Sequence, residues 1–130
     1  MKTLNKRSTE IFLKIVEGVD AEHPAKHINN NLAYMKVSVD FVADTPHGKM
    51  YAIAHNFVQN GDLMADPDMQ FIVMKGFVVP MTYQLDALGV FTEAAFIDEN
   101  NQFKFRPKAQ ADITLFANTW MKNIHQQQGI

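Results

Sequence analysis

The sequence has no cysteine and no long hydrophobic run. Without cysteine there is no disulfide, no thiol nucleophile and no zinc–thiolate site. No run reaches the roughly 20 apolar residues of a membrane-spanning helix. The stretch Met1–Glu10 also lacks the apolar centre and small-residue cleavage site of a signal peptide. We therefore expect a soluble protein of the reducing cytoplasm that makes no membrane contact.

The sequence also lacks the common catalytic and nucleic-acid-binding patterns. It has no glycine-rich phosphate loop, no Gly-x-Ser-x-Gly and no His-Glu-x-x-His. We therefore predict no catalytic residues, no metal ligands and no cofactor. The net charge is only −2, and the predicted strands lack the interleaved Lys and Arg of a base-stacking surface, so we do not expect a nucleic-acid partner.

Charge is unevenly distributed along the chain. Residues 37–100 contain two Lys or Arg against nine Asp or Glu, whereas the remaining residues contain ten against five. Ordinary solvated surface accounts for such a bias most simply. The alternative is an acidic sheet region that attracts a basic partner or a cation.

The length and composition predict one folded domain covering residues 1–130. Hydrophobic residues make up 47% of the 130, and a chain of this size buries roughly two-thirds of its unfolded surface without needing disulfides. No internal repeat and no linker divides it.

Helical periodicity marks both ends of the chain. Apolar residues recur at helical spacing from about Leu4 to Gly18, and again after Pro107, which suits a first helical turn. We expect the tail, Gln126–Gly129, to fray. Residues 20–31 are predicted to form a polar connection.

Strand patterns fill the middle. Met35, Val37, Val39 and Phe41 alternate with polar residues. Four further strands are predicted at about residues 49–58, 69–74, 77–83 and 90–97. Pro80 predicts an edge position or a bulge.

This order predicts an α+β fold: an antiparallel sheet of about five strands flanked by an N-terminal and a C-terminal helix, both on one face. Several strands are apolar on both sides, which requires strong curvature, a small apolar pocket or a partner. We expect a protein partner, and a homodimer is one form of it.

A polar cluster surrounds the predicted turn at Asn60-Gly61, the dipeptide that best suits a two-residue hairpin. A hairpin does not need so many polar groups, so we predict a binding site there. Its residues are His55, Gln59, Asn60, Asp62, Asp66 and Asp68.

Two chemical interpretations of this cluster remain open. Asp62, Asp66 and Asp68 could converge on Mg²⁺ or Ca²⁺, although they do not match a calcium loop and also suit ordinary turn chemistry. His55 could pair across the hairpin with an aspartate as a general base, although a lone strand histidine is more often a core residue.

The stretch Ala54–Phe71, which contains His55-x-x-x-Gln-Asn-Gly-Asp62-x-Met-x-Asp-Pro-Asp68, resembles a family of small uncharacterised bacterial proteins, as does Trp120–Ile124. Phages, plasmids and conjugative elements carry that family. The resemblance covers roughly residues 33–126 and implies a mobile-element accessory protein without a known reaction. Asp68 stands where such sequences commonly have glutamate.

Two functional hypotheses follow. The first is a non-enzymatic mobile-element protein that binds a protein partner, in its sharpest form an inhibitor of a host defence system such as an anti-CRISPR or anti-restriction protein. The alternative is a metal-dependent hydrolase or small-ligand-binding protein that uses His55, Asp62, Asp66 and Asp68.

Overall fold

The computed structural model describes all 130 residues, which form two helices and eight strands. In chain order these are α1 (Lys6–Ile15), β1 (Ala25–Ile28), β2 (Lys36–Thr45), β3 (Gly48–Gln59), β4 (Asp62–Met74), β5 (Phe77–Leu85), a short 3-10 helix (Asp86–Leu88), β6 (Val90–Glu93), β7 (Ala95–Ile97), β8 (Phe103–Phe105) and α2 (Pro107–Gln128).

The helix ends follow local capping chemistry. The Asn5 side chain accepts a 2.8 Å hydrogen bond from the Ser8 N–H and so begins α1. Helix α2 begins at Pro107 and ends before Gly129, whose φ of 66° is the left-handed conformation that glycine favours. Both predicted helices are confirmed.

The expectation that the C-terminal tail frays is wrong. Gln128 is only 2% exposed. Its side-chain oxygen accepts hydrogen bonds from the N–H groups of Asn30 and Asn31, at 2.7 and 3.2 Å. Its side-chain amide donates to the Met35 carbonyl at 3.3 Å. The last turn of α2 therefore fixes the connection before β2.

The main sheet has six antiparallel strands in the order β1-β2-β3-β4-β5-β6. The α+β class is confirmed, but one strand of this main sheet was not predicted. Strand β1 lies in the segment interpreted as a polar connection, and it pairs with residues 37–40 of β2. Only Ile28 of β1 is buried, so its sequence carries little strand signal.

Strand β4 begins at Asp62 rather than near Met69. Asp62, Asp66 and Asp68, predicted to surround the turn, therefore all lie in a strand. Backbone pairing with β3, which begins at the pair Gln59 and Asp62, holds this polar first half of β4. Its sequence lacks the alternation of apolar and polar residues that is typical of strands.

The predicted fifth strand is divided in two at Ala94. Strand β6 pairs with β5, whereas β7 leaves the main sheet and pairs with β8. At the division the Ala94 N–H donates to the Met81 carbonyl at 2.9 Å, and the Ala94 carbonyl accepts from the Arg106 N–H at 2.8 Å.

The two faces of the sheet are covered differently. Both helices pack on one face, around a core that includes Phe12, Ile53, Phe71 and Trp120. On the other face the β7–β8 hairpin covers a small second core. The apolar surplus on this face is thus covered in part by the chain itself.

Register shifts interrupt three of the strand pairings. One of them lies between β4 and β5, where Phe71 pairs with Pro80 but Gln70 pairs with Thr82. Pro80 therefore lies at a bulge, as predicted. A second shift lies between β3 and β4, and it shapes the candidate site.

Candidate functional site

The β3–β4 hairpin extends beyond its neighbouring strands. Strand β2 pairs with β3 only as far as Asn56, and β5 pairs with β4 only as far as Asp68. We call the projecting part, Phe57–Met64, the arm. Asn60 and Gly61 turn it with φ values of 53° and 84°, the positive values predicted for a two-residue turn.

The predicted site residues at the turn are exposed. Gln59, Asn60 and Asp62 are exposed at the tip of the arm, where Gln59 pairs with Asp62. His55 lies four positions back along β3, roughly 13 Å away at the rise of an extended strand. The turn residues and His55 therefore do not form one compact cluster.

His55 is buried on the helical side of the sheet, with 4% of its surface exposed. Its Nδ1 accepts a 3.1 Å hydrogen bond from Trp120 Nε1, and the two rings pack edge to face with centroids 5.4 Å apart. The partner of His55 is thus a tryptophan of α2. The His–Asp pair considered from sequence is not formed.

A bulge lies directly opposite His55. Ala54 pairs with Asp68 and Asn56 pairs with Ala65, so the two residues Asp66 and Pro67 face His55 alone. Such bulges bend a strand and redirect its side chains. This one lies between the main sheet and the arm.

Two buried side-chain atoms have no hydrogen-bond partner, His55 Nε2 and Asp66 Oδ1. Because Nδ1 of His55 accepts a hydrogen bond, its neutral ring carries the proton on Nε2. An unpaired donor and an unpaired acceptor therefore lie on opposite strands of the bulge. Unpaired buried polar atoms are uncommon in folded proteins, and both belong to residues that we predicted as site residues.

Asp66 lies on the same side of the sheet as the helices. Burial, together with the Asp66 carboxylate, raises the pKa of Tyr83. The Tyr83 ring packs edge to face on Phe116, with centroids 5.1 Å apart, and Phe116 packs on Trp120. A row of aromatic rings thus joins β5 to His55 across α2.

Asp68 belongs to the opposite face. Burial raises its pKa, and the carboxylates of Asp86 and Asp40 raise it further. It lies beside the small side chain of its pairing partner Ala54. The bulge therefore separates Asp66 and Asp68 onto different faces of the sheet.

Asp86 supports the base of the arm, and we did not predict this role. Its carboxylate accepts 2.8 Å hydrogen bonds from the Ala65 N–H and from Gln84 Nε2. It thereby satisfies a backbone donor of β4 beyond the end of β5. The bond from Trp120 to His55 depends on how α2 packs on β3, which sequence does not reveal.

The metal interpretation gains no geometric support. No three His, Asp or Glu side chains converge in a geometry that could hold a metal ion. The three aspartates of the hypothesis lie at the arm tip, on the helical side and on the opposite face.

Exposed apolar side chains are concentrated at the arm end of the sheet. Val58 and Leu63 form a cross-strand pair on the arm and are 70% and 65% exposed. Leu88, in the β5–β6 connection, and Val90, at the start of β6, are also exposed at this end. Neighbouring exposed apolar residues of this kind are typical of protein-binding surfaces.

His55 makes stability depend on pH. Burial lowers its pKa below the ordinary value. The unfolded chain therefore binds a proton more readily, so the His55 contribution is complete above about pH 6.5 and is lost as pH falls below it. We expect the unfolding midpoint to fall on acidification from pH 7, and less steeply in His55→Gln. Equal slopes in thermal unfolding at several pH values would contradict this assignment.

Asp68 affects the pH dependence of stability in the opposite direction from His55. Its raised pKa means that the ionised carboxylate destabilises the fold above the raised value, and this penalty disappears as pH falls toward the ordinary aspartate range. We expect Asp68→Asn to stabilise the protein at pH 7 by up to about 1 kcal/mol. Denaturant unfolding at pH 7 and pH 4 measures this effect, and the gain should shrink at pH 4. A destabilised variant at pH 7 would contradict it.

A protein-family match covers nearly the whole chain. Residues 9–130 match the model of a family described as Domain of unknown function (DUF6908), and the chain belongs to that family. The match includes most of α1, which the resemblance drawn from sequence left less certain. No curated protein and no solved structure matches the chain. No helix of the structure is both long and apolar enough to cross a membrane.

Proposed function

We propose that this protein is a non-enzymatic accessory protein of a mobile genetic element and that it binds a protein partner through the arm. The observation that carries the proposal is the arm itself. It leaves the sheet without a neighbouring strand on either side, and it presents Val58 and Leu63 to solvent. Apolar side chains on a projecting hairpin can be buried fully only by another molecule.

Charge indicates what kind of surface the arm meets. Residues 50–74 and 76–103 contain no Lys or Arg, so the arm and the strands beside it carry only carboxylates as charged groups. Lys36, opposite Asn56 at the base of the arm, is the exception on β2. The partner surface that complements Asp62 is therefore basic.

The predicted site residues take separate roles in this proposal. Gln59, Asn60 and Asp62 contact the partner from the tip of the arm. His55, held by Trp120, positions the arm from its base. Asp68 lies on the other face of the sheet and contributes a carboxylate that burial and the neighbouring Asp86 and Asp40 destabilise.

The sharpest form of the proposal is an inhibitor of a host defence system, as an anti-CRISPR or anti-restriction protein. Nucleic-acid-binding enzymes of such systems have basic surfaces, and Asp62, the one charged residue of the arm, complements them. Phage plating on a restricting host and on a CRISPR-immune host, with and without this protein, tests that form. Unchanged plating on both would remove the defence assignment but not the partner.

A shortened arm tests the binding function. Deleting Val58, Gln59, Asp62 and Leu63 places the Asn60-Gly61 turn directly between Phe57 and Met64, which already pair. Because two residues are removed from each strand, the remaining side chains keep their faces of the hairpin. We expect the full chain to retain a specific protein in a pull-down from bacterial lysate. The folded shortened chain should lose it.

The control variant is Leu115→Ser, because Leu115 is 71% exposed on α2, away from the arm. It should retain the same protein as the full chain. Equal retention by the shortened and full chains would contradict the proposal.

A further inference from the structure

A cavity of about 380 Å³ lies on the face of the sheet opposite the helices. The β7–β8 hairpin forms one wall, and the β2–β3 turn forms another. His47 Nε2 donates a 2.7 Å hydrogen bond to the Asn101 carbonyl and so joins the two walls. The volume falls within the roughly 300–1,000 Å³ of sites that bind small molecules.

The cavity has an apolar floor. Met50, Met81, Ala95 and Ile97 line it, and all four belong to or pack against the small second core beneath the β7–β8 hairpin. Methionine side chains adapt readily to the shape of a ligand. This floor suits a flat apolar ring.

Asp44 borders the cavity but does not offer it a charge. Side chains alternate between the two faces of a strand. Because Met50 faces the cavity, its neighbour Lys49 faces the helical side of the sheet. Asp44 pairs with Lys49 across β2 and β3, so its carboxylate also points to that side.

Glu93, the other charged residue at the cavity, is matched by an arginine. Its carboxylate lies 3.9 Å from Arg106 Nη1, and its backbone carbonyl accepts a 2.7 Å hydrogen bond from the same atom. Arg106 in turn lies over the ring of Phe96, which lines the cavity, at 5.2 Å from the ring centroid. The two opposite charges lie together, so a ligand in the cavity meets no free counter-charge.

Two uncharged polar side chains line the cavity from neighbouring strands. Gln70 of β4 pairs with Thr82 of β5. The Thr82 hydroxyl oxygen accepts a 3.1 Å hydrogen bond from the Gln70 backbone N–H, which leaves the hydroxyl proton able to donate. Gln70 uses its backbone in this bond, so its side-chain carboxamide can both donate to a ligand and accept from it.

We infer that this cavity binds a small uncharged ligand, a flat ring that carries an amide. The apolar floor takes the ring, and the Gln70 carboxamide exchanges a donor and an acceptor with the amide. Thr82 supplies a further donor. A charged ligand would lose hydration on entry without gaining an ion pair. This inference is independent of the arm and of any protein partner bound there.

Three probes of one shape and different charge test the inference: benzamide, benzoate and benzamidine. We expect benzamide to shift the NMR signals of the Met50, Met81 and Ala95 methyl groups saturably. Benzoate and benzamidine should bind at least about fivefold more weakly, because the cavity does not compensate their charges. No saturable shift with benzamide, shifts confined to residues outside the cavity, or a charged probe that binds as tightly as benzamide would each overturn the inference.

The variant Gln70→Leu tests the carboxamide. It should weaken benzamide binding about fivefold or more, because the ligand amide is then desolvated without its partner. Toluene, the ring without the amide, should bind this variant as tightly as the unmodified chain, which shows that the cavity is intact. Gln126→Leu is the matched control, because it makes the same change at an exposed position of α2, on the other side of the sheet.

Gln126→Leu should bind benzamide as the unmodified chain does. Benzamide affinity that is unchanged in Gln70→Leu would overturn the inference. The comparison of the three probes on the unmodified chain gives a result that does not depend on the folding of any variant.

Discussion

Replacing Val58 and Leu63 together with serine should weaken partner binding about a hundredfold or more and leave the fold intact. The two side chains are 70% and 65% exposed in the free protein, so their truncation removes little from the core. In a complex they would lie at the centre of the buried surface, where removal of an anchoring side chain costs roughly 2 kcal/mol or more each. Titration with the purified partner measures the loss.

Asp62 at the tip of the arm should contribute less to partner affinity than Val58 and Leu63. Asp62→Asn should weaken binding modestly and should reduce its dependence on salt, because an exposed carboxylate contributes mainly long-range attraction. Leu115→Ser should change neither quantity. Partner affinity that survives loss of Val58 and Leu63 would place the interface elsewhere on the protein.

Trp120→Ala should destabilise the fold by about 3–5 kcal/mol, the usual cost of deleting a large buried aromatic side chain. Trp120 is 3% exposed and contacts the rings of His55 and Phe116. Its removal also leaves His55 Nδ1 buried without a donor. Denaturant unfolding at pH 7 measures the change, and a variant that does not fold would agree with the upper end of this range.

Trp120→Phe separates packing from hydrogen bonding. It keeps a six-membered aromatic ring and removes the N–H donor together with part of the indole volume, so we expect a smaller loss of about 1–3 kcal/mol. If the bond to His55 positions the arm, Trp120→Phe should also weaken partner binding in a protein that remains folded. Two variants with equal stability would contradict the hydrogen-bond assignment.

The elements that the sequence predicted are those whose side chains face one core. Residues such as Val37 and Val39 on β2, or Ile113 and Ile124 on α2, recur at the period of their element because one face is buried. Strand β1 and the first half of β4 were not predicted. Backbone pairing with a neighbouring strand holds them, rather than burial of alternate side chains. Such pairing depends on the position of the neighbouring strand.

The candidate site was predictable as a segment but not as an arrangement. The turn at Asn60-Gly61 follows from the left-handed conformations that both residues favour. The bulge opposite His55 does not follow from sequence, and it decides that Asp66 and Asp68 lie on different faces. Neither the Trp120 donor nor the support from Asp86 could be inferred, because both come from elements distant in sequence.

The most direct test of the account places a photoreactive benzoylphenylalanine at position 58, on the arm, and separately at position 115, on α2. Both positions are exposed to a similar degree, at 70% and 71%. Illumination in cells should attach a specific protein to the chain carrying the group at position 58 and not to the chain carrying it at position 115. Attachment of the same protein only from position 115, or of none from position 58, would contradict the arm as the binding site.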